Sequence, residues 1–301
     1  MEAFRELLAC PACGGALSAD WSCRGCGARY QAHGGIPNLR LASDARADVV
    51  RSFYECAPFP GYPPRDSLTW LRARAERSAF ARLLDQAIPG DARILDIGCG
   101  DGFHLDVLRE YGLPGWRLEG IDPSERAVEA AGKRGLKVRR GLVQEIDLSP
   151  DPYDLALMIA TIEHVDDPPA VLTAVGRLLK PGGRVVVVTD NADSPDAGLF
   201  RGRHWGGYHF PRHWNLFTAS TLRELALNSG FEVESLSYVA SPVNWVYSIR
   251  NRMVDRGSPR WLIDQFSLRT PVSLAFFTLV DSVLCWMGKG CLLRAVLRKS
   301  P

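Results

Sequence analysis

Apolar and polar positions change their spacing along the chain near residue 93. From there onward, short apolar runs alternate with segments in which apolar residues recur at helical spacing. The apolar runs lie at 94–97, 117–121, 137–140, 154–160, 184–189, 231–239 and 292–299. Alternation of this kind is typical of parallel strands joined by crossover helices, so it predicts an α/β fold.

Before residue 93, the pattern of apolar and polar residues is different. Residues 42–92 hold two helix-like runs separated by the sequence PFPGYPP, which predicts a helix, a fixed loop and a second helix. We interpret this stretch as a helical linker or lid, with core packing as the alternative role of its aromatic residues. The side chains expected to close over a ligand are Tyr54, Phe59, Pro60 and Tyr62. Residues 1–41 are rich in Cys and Gly and predict a separate small module.

Composition and charge narrow the class of protein. The 301 residues are 46% hydrophobic and 23% charged with a formal net charge of +2, as in a folded protein with a sizeable core. Residues 241–301 carry nine Lys or Arg against three Asp, so this tail is strongly basic. The start has no apolar leader, which predicts a cytoplasmic protein. Residues 271–287 are apolar but too short, and interrupted by Asp281, for a membrane span.

A glycine-rich turn gives the strongest chemical signal. In ILDIGCGDGF, at 94–103, a strand breaks into a turn that enters a helix near Phe103, and such a turn lets a ligand approach the helix N-terminus. Asp122 ends the next strand, where a carboxylate can accept both hydroxyls of a ribose. Phe103 replaces the third glycine of a dinucleotide fingerprint. Asp96 and Asp101 would repel a diphosphate and attract a cationic sulfonium, which favours S-adenosylmethionine over NAD.

Four segments together resemble the class I S-adenosylmethionine-dependent methyltransferases, over roughly residues 50–240 and the final strand. They read ILDIGCGDG, EGIDPS, YDLALMIATIEHVDDP and LLKPGGRVVVVT. The resemblance implies a doubly wound, seven-stranded, mostly parallel Rossmann-like sheet over 93–301. It also implies that residues 240–290 form a helical insertion before the last strand.

The resemblance further implies which residues bind the cofactor. Gly98 and Gly100 would approach its methionine and ribose parts, and Asp96 would lie near its amino-acid end. Leu142 stands where the family often has an adenine-binding Asp, so Gln144 or backbone groups would take that role. Cys99 is interpreted as a small buried filler rather than a nucleophile. The complete candidate set is Asp96, Gly98, Cys99, Gly100, Asp122, Pro123, Gln144 and Ala160.

The cysteines of the N-terminal module have the spacing of a metal site. CPAC at 10–13 and CRGC at 23–26 form two knuckles whose thiolates can complete a tetrahedron around Zn²⁺, which we favour over a redox pair. The predicted ligands are Cys10, Cys13, Cys23 and Cys26, and four thiolates make the role structural and leave no place for His33. The module resembles the zinc-ribbon activator subunit of tRNA and translation-factor methyltransferases, fused here in cis.

Long connections at 190–217 and 240–290 are expected to shape the acceptor pocket, since ligands sit at the carboxyl ends of strands. The first connection contains RGRHWGGYHFPRHWNLFT and resembles the HxPxH…F element of methyltransferases from bacterial glycan and natural-product clusters. The candidate bases are His213, His164 and His209. The loop histidines, His204 included, do not have the spacing of a metal site.

The expected function is methylation, on oxygen or nitrogen, of a small-molecule, sugar or lipid-linked acceptor. The alternatives are RNA or protein methylation, suggested by the zinc module and the basic run KRGLKVRR at 133–140, and a regulatory protein that binds the cofactor without turnover. The 240–290 insertion is interpreted as a buried cap, a dimer contact or a membrane-surface element, with Thr278, Asp281 and Ser282 as a polar stripe.

Overall fold

The computed structural model describes residues 9–30, 32–33, 36–37, 39, 88–145, 152–208 and 212–300. The predicted helices and lid residues before residue 88, and His209, lie outside the described residues. The chain divides into two compact units, residues 1–53 and 54–301.

The described residues of the first unit form little regular structure. Isolated bridges pair Ala9 with Ala16 and Leu17 with Cys23, and strands β1 (Ala32–His33) and β2 (Ile36–Pro37) form a short antiparallel pair. Among the residues described for this unit, the buried core consists of Cys10, Leu17, Cys23 and Tyr30. A core of four residues buries little apolar surface.

The second unit is built on a seven-stranded sheet, as the sequence resemblance implied. Its strands are β3 (Arg93–Ile97), β4 (Arg117–Asp122), β5 (Val138–Arg140), β6 (Tyr153–Ile159), β7 (Leu179–Asp190), β8 (Phe231–Val239) and β9 (Leu292–Lys299). They are arranged in the order β5-β4-β3-β6-β7-β9-β8. The first five strands of this order are parallel, and β9 runs antiparallel to both of its neighbours.

Helices cover the sheet and connect its strands. They are α1 (Phe103–Tyr111), α2 (Glu125–Lys133), α3 (Pro168–Leu178), α4 (Pro195–Phe200), α5 (Ala219–Asn228), α6 (Pro242–Asp255), α7 (Arg260–Ile263) and α8 (Pro271–Trp286). Capping residues set several of their starts: Ser124 Oγ accepts from the Ala127 amide, and Asp167 from the Ala170 amide. All five residues of β3 are buried, including the charged Arg93 and Asp96, as in a parallel strand covered on both faces.

The insertion between β8 and β9 consists of α6, α7 and α8. Phe277 of α8 stacks on Trp245 of α6 at 5.7 Å between ring centroids, in a cluster that includes Phe200 and Trp205. The expected polar stripe is not one surface. Asp281 is fully buried and accepts from the amides of Ser241 (2.7 Å) and Cys291 (3.2 Å), which ties the two ends of the insertion together.

Thr278 and Ser282 instead donate to carbonyls one turn back in α8. One face of α8 is packed against α6, and the other is exposed. No helix in the described ranges is long and apolar enough to cross a membrane.

Candidate functional site

Three glycines shape the turn after β3, which we call the glycine cradle. Gly98, Gly100 and Gly102 all have positive φ, a conformation that favours glycine. The Gly98 amide donates to the Ile121 carbonyl at 2.8 Å, and a Cβ on Gly98 would lie 2.6 Å from Thr161 Cγ2. A Cβ on Gly100 would meet nothing within 4 Å. The first glycine therefore permits packing of the turn, whereas the second borders open space that a ligand can occupy.

Asp122 ties this cradle to the end of β4. One carboxylate oxygen accepts from the Gly100 amide at 2.8 Å and the other from the Ser124 amide at 2.9 Å. Burial raises the pKa of Asp122, although both amide hydrogen bonds oppose the shift. Each oxygen keeps a second lone pair, so the group can still accept from two hydroxyls.

Asp96 is a buried carboxyl group with an unsatisfied oxygen atom. It is 1% exposed, and among the described residues its Oδ2 accepts no hydrogen bond. Burial and the nearby Asp122 carboxylate raise the pKa of Asp96 to about 8. His104 Nδ1 lies 3.9 Å from this oxygen, a neighbour that sequence reasoning missed. A buried carboxylate of this kind fits a cationic group such as an ammonium.

The other predicted cofactor residues surround the same end of the sheet. Cys99 is buried and its thiol pKa is raised by burial, as suits a filler rather than a nucleophile. Ala160 follows β6 with φ of 51°, a strained conformation for a residue with a Cβ. Pro123 and Gln144 are exposed after β4 and β5.

Two of the three predicted bases meet at the ends of β6 and β7. The rings of His164 and His213 lie edge to face with centroids 4.6 Å apart. His213 Nδ1 is 2.7 Å from the Gly207 carbonyl and 3.2 Å from Asp190 Oδ2. A carbonyl only accepts, so Nδ1 carries the proton, and the neutral ring has its lone pair at Nε2.

The surroundings of the two rings shift their pKa values in opposite directions. Burial would lower the pKa of His213, but the hydrogen bond and charge of Asp190, with help from Glu163, raise it above its usual 6.5. Burial and the charge of His213 lower the pKa of His164 to about 4, so this ring stays neutral. Burial and the charge of Asp190 raise the pKa of Glu163 to about 7. The arrangement can accept a proton at His213.

Sequence reasoning missed the residues that support His213. Glu163 lies in the short 3-10 turn (Ile162–His164) that follows β6, and Asp190 is the last residue of β7; neither was singled out from the sequence. Asn244 of α6 donates to Asp190 Oδ1 at 2.6 Å, so the insertion helps to orient the carboxylate. His204, by contrast, lies 3.1 Å from Asp255 on the exposed end of α6.

In the first unit, the four predicted zinc ligands come together. Their sulfur atoms lie within 4.8 Å of one another, with Cys10 and Cys26 3.7 Å apart and Cys13 and Cys23 3.4 Å apart. A Zn²⁺ with four thiolates at about 2.3 Å has sulfur atoms about 3.8 Å apart, so the residues fit this ion. A Cβ on Gly15 would stand 3.2 Å from Cys23 Sγ, which explains the small residue there.

A sheet with this strand order, a glycine cradle after its first parallel strand and a carboxylate after the second defines a class I methyltransferase. The profile of a family described as a methyltransferase domain matches residues 70–236, and the chain belongs to that family. It is an S-adenosylmethionine-dependent methyltransferase, as the sequence motifs predicted.

Two proteins are similar to the chain in sequence, and one solved structure is similar to it in fold. A ubiquinone biosynthesis O-methyltransferase of Cereibacter sphaeroides is 30% identical over 249 residues, which cover 79% of this chain and 88% of the relative. An uncharacterized 37.1 kDa protein in transposon TN4556 of Streptomyces fradiae is 32% identical over 185 residues, covering 56% of this chain and 51% of that protein. A crystal structure of a methyltransferase from Archaeoglobus fulgidus has a TM-score of 0.49 at 18% identity, covering 78% and 96% of the two chains.

Proposed function

We propose that the chain methylates a hydroxyl oxygen of a small-molecule acceptor bound beside His213. The observation that carries this proposal is the hydrogen-bonded arrangement of His213 with Asp190 and Gly207, beside the neutral His164. S-adenosylmethionine supplies a methyl group on a cationic sulfur, and a hydroxyl that receives it must lose one proton. An amine acceptor would have less need of such a base.

Each residue of the cluster has a distinct proposed task. Asp190 and the Gly207 carbonyl hold the His213 ring, so Nε2 is the atom that takes the proton. Asp190 then stabilises the charged ring that forms, as a carboxylate does in other histidine bases. His164, held through Nδ1 by the Arg212 carbonyl at 3.1 Å, orients the acceptor as a neutral partner. Burial of the cluster excludes water.

The cofactor is proposed to lie along the glycine cradle. Asp96 would hold its ammonium group, Gly98 and Gly100 its methionine and ribose parts, and Asp122 the ribose hydroxyls. Gln144 and Ala160 would border the adenine and methionine ends. The name of the Cereibacter relative, an O-methyltransferase, supports oxygen as the acceptor atom.

RNA methylation receives less support, because the basic run at 133–140 is largely neutralised within the fold. Lys137 pairs with Glu119 at 2.7 Å, Arg134 with Asp101 at 3.1 Å, and Arg140 with Glu125 at 2.9 Å. A cation that is already paired with a carboxylate neutralises a phosphate less effectively, so it displaces few counterions from a nucleic-acid backbone.

Zinc is proposed as a structural ion of residues 1–41, held by Cys10, Cys13, Cys23 and Cys26. The small core of this unit and the approach of its four thiols support the assignment. Metal analysis should find about one zinc per chain. Cys13→Ser should lose it, whereas Cys285→Ser, a change in α8, should retain it; equal zinc in both variants would refute the site.

The test of the function is transfer of labelled methyl from S-adenosylmethionine into a bacterial extract, followed by separation into small-molecule, lipid, RNA and protein fractions. We expect label in hydroxyl-bearing small molecules or lipids. Asp122→Ala, in a chain that still folds, should abolish transfer. Label confined to RNA or protein would overturn the proposed acceptor class, and full activity of Asp122→Ala would overturn the cofactor site.

A further inference from the structure

Helix α8 presents a row of large apolar side chains to solvent. Six residues recur at helical spacing along one face and are each about half exposed or more: Val272, Phe276, Leu279, Val283, Trp286 and Met287. Trp286 is 88% exposed and Leu279 is 66% exposed. We call this row the α8 stripe. Contiguous exposed apolar surface of this kind marks an interaction site more often than an accident of composition.

The orientation of the stripe is fixed by the opposite face of the helix. Phe277 packs on Trp245, and Asp281 is fully buried with hydrogen bonds to the amides of Ser241 and Cys291. Rotating α8 to hide the stripe would expose this ring and leave buried amides without their carboxylate. The stripe is therefore held outward by the fold.

Cations stand at both ends of the stripe. Arg269 precedes the first turn of α8 and Lys289 follows the last, and both are exposed. Arg256 and Arg260 are exposed near α7, beside Trp261, which is 70% exposed.

Two of the three acids of this region do not offset these charges. Asp281 is buried in hydrogen bonds, and Asp255 is paired with Arg203 and His204. The third acid, Asp264, is exposed between Arg260 and Arg269. Four exposed cations outnumber this one acid, so the segments that flank the apolar stripe are net positive.

We propose that the α8 stripe docks on an anionic lipid surface. Apolar side chains would enter the boundary between headgroups and acyl chains while the flanking cations contact phosphates. A helix of 16 residues with a buried Asp is too short to span the bilayer, so it would lie in the surface. A second copy of the chain is a poorer occupant, because pairing two stripes would bring their cationic margins together.

The inference goes beyond the proposed function, since vesicle binding needs neither acceptor nor methyl transfer. The full chain is mixed with vesicles of phosphatidylcholine, with or without phosphatidylglycerol, and separated by flotation. We expect binding to the anionic vesicles, weakened by salt, with a blue shift of tryptophan emission. The variant Phe276→Ser/Leu279→Ser/Trp286→Ser should bind roughly tenfold more weakly or not at all, as should Arg269→Glu/Lys289→Glu.

The matched control is Leu199→Ser/Leu227→Ser, which replaces two comparably exposed leucines outside the stripe. Its vesicle binding should equal that of the parent, and thermal melting should show that all variants fold. The proposal is overturned if the parent ignores anionic vesicles or if the stripe variant binds as well as the parent. It is also overturned if the stripe variant only converts a dimer to a monomer in light scattering.

Discussion

At the scale of single residues, His213 combines a raised pKa with a fixed tautomer. Its Nδ1 proton faces the Gly207 carbonyl and Asp190, and its side chain is only 8% exposed. His204 is only nine residues earlier in the chain, yet it lies on the exposed end of α6 beside Asp255. The resemblance to the HxPxH element singled out His213 and not His204 as a candidate base, and in the structure the two histidines have different surroundings.

We predict that His213→Gln lowers kcat by about 10²–10⁴-fold, the usual contribution of a general base, with little change in S-adenosylmethionine affinity. His204→Gln is the matched control and should retain the parent kcat. Steady-state kinetics and calorimetric binding measure both effects. A His213→Gln enzyme with unchanged kcat would exclude the base assignment.

The pH profile gives an independent check of the same group. His213 must be neutral to act, so kcat/KM should rise with pH through a pKa above 6.5. Asp190→Asn removes the charge that raises this pKa, so its rising limb should move to lower pH, with a reduced plateau. An unshifted limb would mean that another group controls the profile.

Asp96 makes a second residue-scale prediction, because its pKa of about 8 keeps it protonated at pH 7. Binding of a cationic cofactor should ionise it and release about one proton. Calorimetry at pH 7 in buffers of different protonation enthalpy measures this release. Asp96→Asn should release none and bind more weakly; buffer-independent heats for the parent would contradict the assignment.

The raised pKa of Asp96 also makes the stability of the folded chain depend on pH. A carboxyl whose pKa is raised by folding stabilises the folded state below its unfolded pKa near 3.8, and this contribution is lost as pH rises to about 8. The cofactor-free Asp96→Asn variant should therefore melt higher than the parent at pH 8, with a smaller difference at pH 5. Identical melting at pH 8 would contradict the buried charge.

At the scale of elements, the turn between β3 and α1 depends on glycines for two different reasons. Gly98 lies against Thr161, whose hydroxyl donates to the Ile97 carbonyl, so this position has no room for a side chain. Gly100 faces open space and needs only its positive φ.

We predict that Gly98→Ala costs about 2–4 kcal/mol of unfolding free energy, since it adds a clash to backbone strain. Gly100→Ala should cost only about 1–2 kcal/mol, the strain of a left-handed residue. Its larger effect should be on cofactor affinity, because the new methyl group would take up the open space that we assign to the cofactor. Denaturant titration and calorimetry separate the two variants; equal losses of stability would contradict the distinct roles.

For the insertion between β8 and β9, the sequence indicated a helix but not the contacts that its faces make. Helical spacing predicted α8, and the position of Asp281 within it suggested a polar stripe with Thr278 and Ser282. Periodicity places residues on faces of a helix but does not say which face meets protein. The contacts of Asp281 with Ser241 and Cys291 required the ends of the insertion to meet, which only folding brings about.

At the scale of the whole molecule, the chain combines two compact units whose described cores differ in size. The larger unit has an extensive apolar core around its sheet, whereas the described core of the smaller one consists of four residues. We therefore propose that the smaller unit depends on its metal for folding.

We predict two thermal transitions for the full chain, of which a strong zinc chelator removes only one. Cys13→Ser should lack the same transition without chelator, and Cys285→Ser should melt like the parent. Differential scanning calorimetry with zinc analysis makes the measurement. A single transition unaffected by chelation would show that zinc does not stabilise the unit.

By itself, the sequence determined the strands, the glycine cradle with its two carboxylates and the cysteine spacing. Hydrophobic periodicity, positive φ and short ligand spacings are local properties, so they can be recognised along the chain. Only the tertiary structure decided that His164 and His213 meet, that Asn244 orients Asp190 and that the α8 stripe faces outward. Those features depend on the order in which strands pair and on the packing of distant segments, neither of which leaves a local signal.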